Sequence, residues 1–265
     1  MSADDRIGSG ARQQLAADLA VAGGRIGLEY FHRARRDDGA ESAADADIRQ
    51  RLAAKVAAAF PDDAVVGAEP GQPGGRSHAL HSWVIAPGEP GRSVGLPGFA
   101  VSIGVLRSGT PFVGAVYDPL VRWLFTACAG RGAWLNERPL HALPVPLTRS
   151  SLVAIGSPRE PGLPPFAEEW ARRYRLRAFG STALHLCYVA MGALDLVHDH
   201  RAPLLDLAGA AAVVLEAGGV LTGVDGAPVF PAARAHLAGA PISILAGNRA
   251  SHAEALADVP YLLRA

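Results

Sequence analysis

Acidic side chains stand in four segments whose other residues are mostly apolar, glycine or proline. Asp45 stands at the head of a predicted helix, and Glu69 ends a short apolar run. Glu89 lies in a loop dense in glycine and proline, and Asp206 opens a long apolar helix pattern. Carboxylates act as general acids and bases, and they are the ligands that Mg²⁺ prefers. These four positions are therefore candidates for catalysis or for holding a metal ion.

His198, Asp199 and His200 form a second group of titratable side chains, at the end of a predicted strand. Histidine is the side chain most often poised to exchange a proton near neutral pH, so His198 is a candidate acid–base residue. A packing role explains the two histidines as well, and from the sequence both interpretations stay open.

Plainer interpretations also exist for the acidic residues. A helix cap accounts for Asp45, a turn for Glu69, and the favourable field of a helix N-terminus for Asp206. No short motif decides the matter, because the chain has no P-loop, no glycine-rich dinucleotide motif after a strand, no nucleophile elbow and no paired-histidine zinc motif. Two cysteines, Cys128 and Cys187, are too few for a disulfide framework and are predicted to lie in the core.

The elements that position these side chains follow from the spacing of apolar residues. In the first half, helices are predicted over residues 10–35 and 46–60, with a polar break between them, and residues 70–75 are predicted to form a loop. Apolar runs at residues 99–106 and 112–117 predict a hairpin in an antiparallel sheet.

The second half alternates strands and helices. Ser181 is the predicted N-cap of a helix over residues 182–191, because a serine side chain accepts a hydrogen bond from the free amides of the first turn. A long apolar helix is predicted over residues 203–217 and ends at Gly218, and a last helix over residues 251–257. The whole pattern predicts a mixed α/β fold.

Composition bounds the kind of protein. The 265 residues are 49% hydrophobic and 19% charged, which is typical of a globular chain. Lys+Arg and Asp+Glu both number 25, so the basic excess of a nucleic-acid binder is missing. The longest apolar stretch, residues 207–215, is too short for a membrane span, and the polar first residues predict no signal peptide. A cytoplasmic, bacterial protein without nucleic-acid or membrane partners is expected.

The arrangement resembles the inositol monophosphatase family, within the superfamily that includes fructose-1,6-bisphosphatase. The resemblance runs from about residue 10 to residue 247 and rests on scaffold segments that match in register. These segments are residues 99–104, 114–119, 129–136, 180–183 and 216–219. The resemblance implies a layered α-β-α-β-α sandwich with an N-terminal lobe (residues 1–145), a C-terminal lobe (residues 146–265) and a homodimer.

Family members bind two or three Mg²⁺ ions with clustered carboxylates and hydrolyse small phosphomonoesters. This sequence departs from the family where the metal ligands stand. Ala68 replaces the first Glu of the family's Gly-Glu-Glu motif, and Ala86 replaces the Asp that bridges two metals. That Asp begins the family's Asp-Pro-(Ile/Leu)-Asp-Gly-(Thr/Ser) motif; here the second Asp of this motif is Glu89, and the Thr that orients the water is Gly91. The resemblance therefore implies a degenerate metal site.

Without a metal centre, acid–base chemistry would fall to titratable residues near the pocket. Glu69, Glu89, Asp206 and His198 are expected to carry acid–base chemistry. Asp45, Glu89 and Asp206 are the remaining candidates for holding one Mg²⁺ weakly. No cofactor that binds as tightly as the family's metal ions is expected.

Substrate contacts are assigned by the resemblance. Asp199 matches the acidic position that contacts substrate hydroxyls, and Gly180, Ser181 and Thr182 match the segment that lines the pocket. Arg92 stands in the loop that has lost its metal ligands, where it is expected to hold an anion; a solvated surface arginine is the plainer alternative.

Three functions stay open. The first is an enzyme of a specialised biosynthetic pathway that has lost two-metal hydrolysis and performs metal-independent chemistry on a small polar or phosphorylated metabolite. The second is a residual Mg²⁺-dependent phosphomonoesterase acting on a sugar, cyclitol or nucleotide phosphate. The third is a non-catalytic regulatory pseudophosphatase. Ala68 and Ala86 favour the first function, because both replace expected metal ligands while the rest of the scaffold is intact.

Overall fold

The structure is a computed structural model that describes residues 3–33, 38–69, 72–74, 79–88, 97–156, 165–237 and 239–262. Two long helices come first, α1 (Ala3–Arg33) and α2 (Asp38–Ala59). Both begin earlier than the sequence predicts. Residues 38–44, expected in a polar break, form the first turns of α2, because their alanines and glutamate favour a helix.

An eight-stranded sheet follows these helices. Its strands are β1 (Ala64–Glu69), β2 (Gln72–Gly74), β3 (His81–Ala86), β4 (Val101–Arg107), β5 (Thr110–Asp118), β6 (Trp123–Cys128), β7 (Gly132–Leu135) and β8 (Arg138–Pro139). The order is β2-β1-β3-β4-β5-β6-β7-β8, with only β1 and β3 pairing in parallel. The predicted hairpin is confirmed as β4 and β5. The loop prediction is wrong for Gln72–Gly74, which pairs with β1.

The second sheet has five strands in the order β10-β9-β11-β13-β12. Its strands are β9 (Leu152–Ile155), β10 (Arg175–Arg177), β11 (Leu196–Ala202), β12 (Val220–Gly223) and β13 (Ile242–Gly247). The helices of this half are α3 (Pro165–Arg173), α4 (Thr182–Ala190), α5 (Leu204–Glu216), α6 (Arg234–Leu237) and α7 (Arg249–Leu262). α7 is longer than predicted at both ends, whereas α5 matches its prediction to within one residue at each end.

Alternation along the strands separates the layers, because successive side chains point to opposite faces of a sheet. Trp83 and Ile85 of β3 pack with α1 and α2, whereas Val84 between them packs with the helices between the two sheets. The middle layer is α4 and α5, and α3 and α7 cover the far face of the five-stranded sheet. The layered α-β-α-β-α sandwich is therefore confirmed.

Close approach of α5 to the large sheet depends on glycine. Gly104 and Gly114 are register partners on β4 and β5. A Cβ atom on Gly114 would lie 2.1 Å from the carbonyl oxygen of Gly209 in α5, and one on Gly104 would lie 2.7 Å from Ala208. The helix of the second half thus packs directly on the sheet of the first, and the proposed lobe boundary at residue 145 stays a prediction.

Two further expectations concern the chain as a whole. Cys128 and Cys187 are free and buried, as predicted. No helix within the described ranges is long and apolar enough to cross a membrane.

Candidate functional site

A cavity of about 260 Å³ opens where both sheets and the middle layer meet. Its walls come from α2, the end of β3, the start of β4, the end of β11 and the N-terminal turns of α4 and α5. Helix N-termini carry partial positive charge, so two helices direct favourable fields for anions towards this space. Most of the site residues predicted from the sequence lie on these elements.

Ala86 and Ser102 form one wall of the cavity. They are register partners at the end of β3 and the start of β4. By strand alternation Ala86 shares the face of Val84, so its methyl group points to the middle layer and not to α1. The Ser102 side chain is buried, and its Oγ has no hydrogen-bond partner among the described residues.

The first turn of α4 forms a second wall. Ser181 is its N-cap, as predicted, and accepts a hydrogen bond from the Leu184 amide at 3.3 Å. Gly180 precedes it with φ of +85°, a backbone conformation that side chains with a Cβ rarely adopt. The hydroxyl of Thr182 donates to Oδ2 of Asp199 on β11. Ser181 and Thr182 therefore reach the cavity on a rigid helix start.

Asp199 and Arg201 stand together at the end of β11. The Asp199 side chain is 7% exposed, and its Oδ1 accepts the Arg201 backbone amide at 3.0 Å. With the hydroxyl of Thr182 on its other oxygen, the carboxylate is held in one orientation. Arg201 is exposed and lines the cavity, and its guanidinium makes no hydrogen bond or ion pair with any residue that the structure describes.

Asp45 lies inside α2 and not at its head, so the helix-cap interpretation is wrong for this residue. The helix begins at Asp38, and a residue two turns in cannot accept from the free amides of the first turn. Asp45 lines the cavity with Arg49, one turn later, and their nearest charged atoms are 3.9 Å apart. A carboxylate and a guanidinium thus share this wall.

Asp206 is the third residue of α5 and lines the cavity, as predicted. Its amide donates to the Pro203 carbonyl at 3.1 Å, and the proline at the N-cap position supplies no side-chain cap. A carboxylate in the first turn is favoured by the helix field, which agrees with the structural interpretation of this residue, while its place in the cavity agrees with the functional one.

His198 lies in the core and not at the cavity. Its Nδ1 is 2.9 Å from the Ile244 carbonyl, and its ring packs against Phe166 with centroids 4.7 Å apart. Burial lowers the pKa of His198 to about 4, so the imidazole is neutral at pH 7. The packing interpretation therefore describes this histidine.

The structure does not describe the side chains of three predicted site residues. Glu89 and Arg92 lie outside the described ranges, and for Glu69 only its place at the end of β1 is described. Their expected roles stay predictions.

A metal site needs several carboxylates that converge. Within the described ranges no three His, Cys, Asp or Glu side chains lie close enough to hold a metal ion. Asp45 is paired with Arg49, Asp199 is held by Thr182, and Ala86 offers a methyl group. The described residues of the cavity thus include no group of three such ligands, and the side chains of Glu69 and Glu89 stand outside this comparison.

Sequence reasoning missed three polar residues that line the cavity: Arg49, Arg201 and Ser102. Arg49 follows Asp45 by one helical turn, a spacing that places both side chains on one face. Arg201 follows Asp199 by two residues, but the register shift of β11 after Asp199 hides this spacing from simple strand alternation. Ser102 carried no signal beyond its place in an apolar strand.

Comparison with known proteins agrees with this geometry. A model of the inositol monophosphatase family matches residues 12–261. A fructose-1,6-bisphosphatase/inositol-1-monophosphatase of Aquifex aeolicus is 29% identical over 257 residues, which cover 90% of this chain and 91% of that protein. Inositol monophosphatase 1 of Sus scrofa is 32% identical over 200 residues, covering 71% of this chain and 72% of that protein.

Among solved structures, the inositol monophosphatase of Anabaena (Nostoc) superposes with a TM-score of 0.81 at 25% identity. The superposition covers 95% of this chain and 96% of that one. The family model over residues 12–261 and the shared layered fold lead to one conclusion, which is that this chain belongs to the inositol monophosphatase family.

Proposed function

We propose that this chain binds a small polar or phosphorylated metabolite in the cavity and acts on it without the two-metal centre of its family. The observation that carries the proposal is that two of the cavity carboxylates already have partners within the protein. Asp45 faces Arg49, and Asp199 is tied to Thr182. The methyl group of Ala86 stands at the position where the family has its bridging aspartate. Removing that carboxylate deletes one ligand from each of two ions.

Proton transfer is the chemistry that the remaining residues support. Asp206 is a carboxylate on the first turn of a rigid helix, within reach of a ligand in the cavity, so it is the proposed general acid or base. Asp199, oriented by Thr182, is the proposed acceptor for ligand hydroxyls. Glu69 and Glu89 are proposed to assist Asp206. His198 is left out because its ring lies in the core.

A phosphomonoester panel tests the proposal. Purified protein is incubated with inositol, sugar, histidinol and nucleotide phosphates, once with Mg²⁺ and once with EDTA. Phosphate release and the mass of each compound are both measured. We expect a change in one compound that EDTA does not abolish. Phosphate release that requires Mg²⁺ and proceeds at an ordinary family rate would overturn the proposal.

Residual Mg²⁺-dependent phosphomonoester hydrolysis is the second candidate, because the family's usual cofactor is Mg²⁺ and the relatives compared above are named as phosphatases. Glu89, Asp206 and Asp45 are the residues that would hold one ion. Its signature is phosphate release with Mg²⁺ that EDTA removes.

A non-catalytic pseudophosphatase is the third candidate, and no compound in the panel would then change under either condition. A homodimer is proposed on family grounds alone, and light scattering after gel filtration tests it.

A further inference from the structure

We infer that Arg201, together with Arg49, forms an oxyanion-binding subsite that supplies the positive charge for a phosphate or carboxylate group of the ligand. The inference rests on the proposed function and deepens it, since it states how an anionic ligand is held in a cavity whose described residues include no group of three metal-binding side chains. It concerns residues of the chain that the predicted site did not include.

The guanidinium of Arg201 is the principal group. Its backbone is anchored, because the Arg201 amide donates to Asp199 Oδ1 at 3.0 Å. Its side chain is exposed at the cavity and makes no contact of hydrogen-bond or ion-pair type within the described ranges. A guanidinium offers five donors in a planar fork that matches the oxygens of phosphate and carboxylate. The residue therefore has both the position and the donors for an oxyanion.

Arg49 adds a second guanidinium to the same cavity. Its nearest charged atom lies 3.9 Å from the Asp45 carboxylate, longer than a charge-assisted hydrogen bond of about 2.7–2.9 Å. This contact is therefore an ion pair and not a hydrogen bond. Asp45 offsets part of the Arg49 charge and keeps the side chain on the cavity face of α2.

The neutral groups of the cavity favour an anion as well. α4 and α5 both begin at its wall, and their N-terminal amides carry partial positive charge. The buried hydroxyl of Ser102 lines the same space without a hydrogen-bond partner in the described part of the chain, so it is able to donate to a ligand oxygen. A buried hydroxyl left without a partner is unfavourable, and a bound oxyanion would offset that cost.

Three carboxylates in this cavity repel a bound anion, and this repulsion provides a test of the inference. Asp45 is compensated by Arg49, and Asp199 by the hydroxyl of Thr182 and the amide of Arg201. Asp206 is the third. Neutralising Asp206 should therefore tighten anion binding if guanidinium groups hold the anion. A metal ion held partly by Asp206 would instead bind the anion only in the absence of EDTA.

The test is calorimetric titration with inorganic phosphate, and separately with acetate, in low salt with EDTA. The variants are Arg201→Gln, Asp206→Asn and the matched control Arg175→Gln, an exposed arginine on the edge strand β10. We expect wild type to bind at least one anion, Arg201→Gln to weaken that binding tenfold or more, Arg175→Gln to stay within twofold, and Asp206→Asn to tighten it severalfold. The arm that binds identifies the ligand group as phosphate or carboxylate.

Three outcomes would overturn the inference: no binding of either anion in EDTA, unchanged binding in Arg201→Gln, or weaker binding in Asp206→Asn. Thermal melting of each variant confirms that it is folded. The proposed function fails separately. Anion binding that depends on Arg201, with no compound of the panel converted, keeps the subsite and removes the reaction. EDTA-resistant conversion of a compound, together with unchanged anion binding in Arg201→Gln, would keep the proposed reaction and remove the subsite.

Discussion

At the scale of single residues, the cavity combines the methyl group of Ala86 with two arginines that line its wall. Ala86 is 4% exposed and sits on the middle-layer face of β3, so any side chain at this position projects towards the cavity. Arg49 and Arg201 lie on two different elements, α2 and β11, that meet at the same cavity. The protein therefore supplies both positively and negatively charged side chains to this cavity.

Restoring the lost carboxylates separates a decayed phosphatase from a changed cavity. The double variant Ala68→Glu, Ala86→Asp introduces the two acidic side chains that the proposal places at these positions in an active phosphatase. We expect Mg²⁺-dependent phosphate release to stay at background, because Asp45 remains paired with Arg49. The measurement is phosphate release from the same panel with Mg²⁺. Recovery of hydrolysis in a folded double variant would show that the site is intact except for these two positions.

The hydroxyl of Thr182 should contribute measurably to stability. Thr182→Val keeps the shape of the side chain but removes the donor to the Asp199 carboxylate, which is 7% exposed. The expected loss in the free energy of unfolding is about 1–3 kcal/mol. Urea unfolding measures it, with Thr182→Ser as the control that keeps the hydroxyl. Equal stabilities for the valine and serine variants would contradict the assigned hydrogen bond.

At the scale of elements, the position of α5 decides where the cavity forms. The helix is buried along most of its length and packs on β4 and β5 at Gly104 and Gly114. This close packing sets its N-terminal turn, and with it Asp206, beside the end of β3. A change in the helix–sheet distance therefore acts on both the core and the cavity.

Adding one methyl group at this contact should be costly. A Cβ atom on Gly114 would lie 2.1 Å from the backbone oxygen of Gly209, and backbone cannot move aside as a side chain can. Gly114→Ala is expected to lower the free energy of unfolding by about 3 kcal/mol or to prevent folding. Gly10→Ala in α1 is the control, since its added Cβ would meet only a side-chain atom of Arg131, at 3.7 Å. Urea unfolding of both variants checks the difference, and similar stabilities would contradict the close packing.

At the scale of the whole molecule, three described histidines are buried, and for two of them, His185 and His198, the pKa falls furthest below its usual value. The Nε2 of His185 accepts the Phe179 amide at 3.0 Å and so supports the segment that leads into α4. His198 is held in the far core of the five-stranded sheet. Burial is the main cause that lowers the pKa of each to about 4. The stability of the molecule is therefore linked to pH through groups outside the cavity.

Acid should weaken the fold within a defined window. The pKa of a histidine is near 6.5 in the unfolded chain and about 4 for His185 and His198 in the folded one. Between these values the unfolded chain binds more protons, so the free energy of unfolding falls as pH drops from 6.5 to 4 and is unaffected by these groups above 6.5. Each histidine contributes roughly 3 kcal/mol to this loss.

Urea unfolding at several pH values between 7.5 and 4.5 measures this dependence. His185→Gln and His198→Gln should each flatten the curve, whereas His141→Gln, at an exposed histidine, should leave it unchanged. The same slope in all four proteins would show that other groups control acid stability.

The sequence by itself determined the features that depend on neighbours along the chain. Periodicity located α5 and the β4–β5 hairpin, and the side-chain chemistry of Ser181 located the start of α4. Family membership and the alanines at positions 68 and 86 were readable too, because they are matters of residue type in register. These features need only local hydrogen bonding and the period of apolar residues.

Only the tertiary structure decided which side chains share the cavity. Arg201 reaches it, and His198 enters the core, although both belong to β11. The hydrogen bond from Thr182 to Asp199 and the pairing of Gln72–Gly74 with β1 likewise depend on contacts that no local pattern encodes. The physical reason is that strand pairing and helix–sheet packing set the direction of each side chain, and these depend on the fold as a whole.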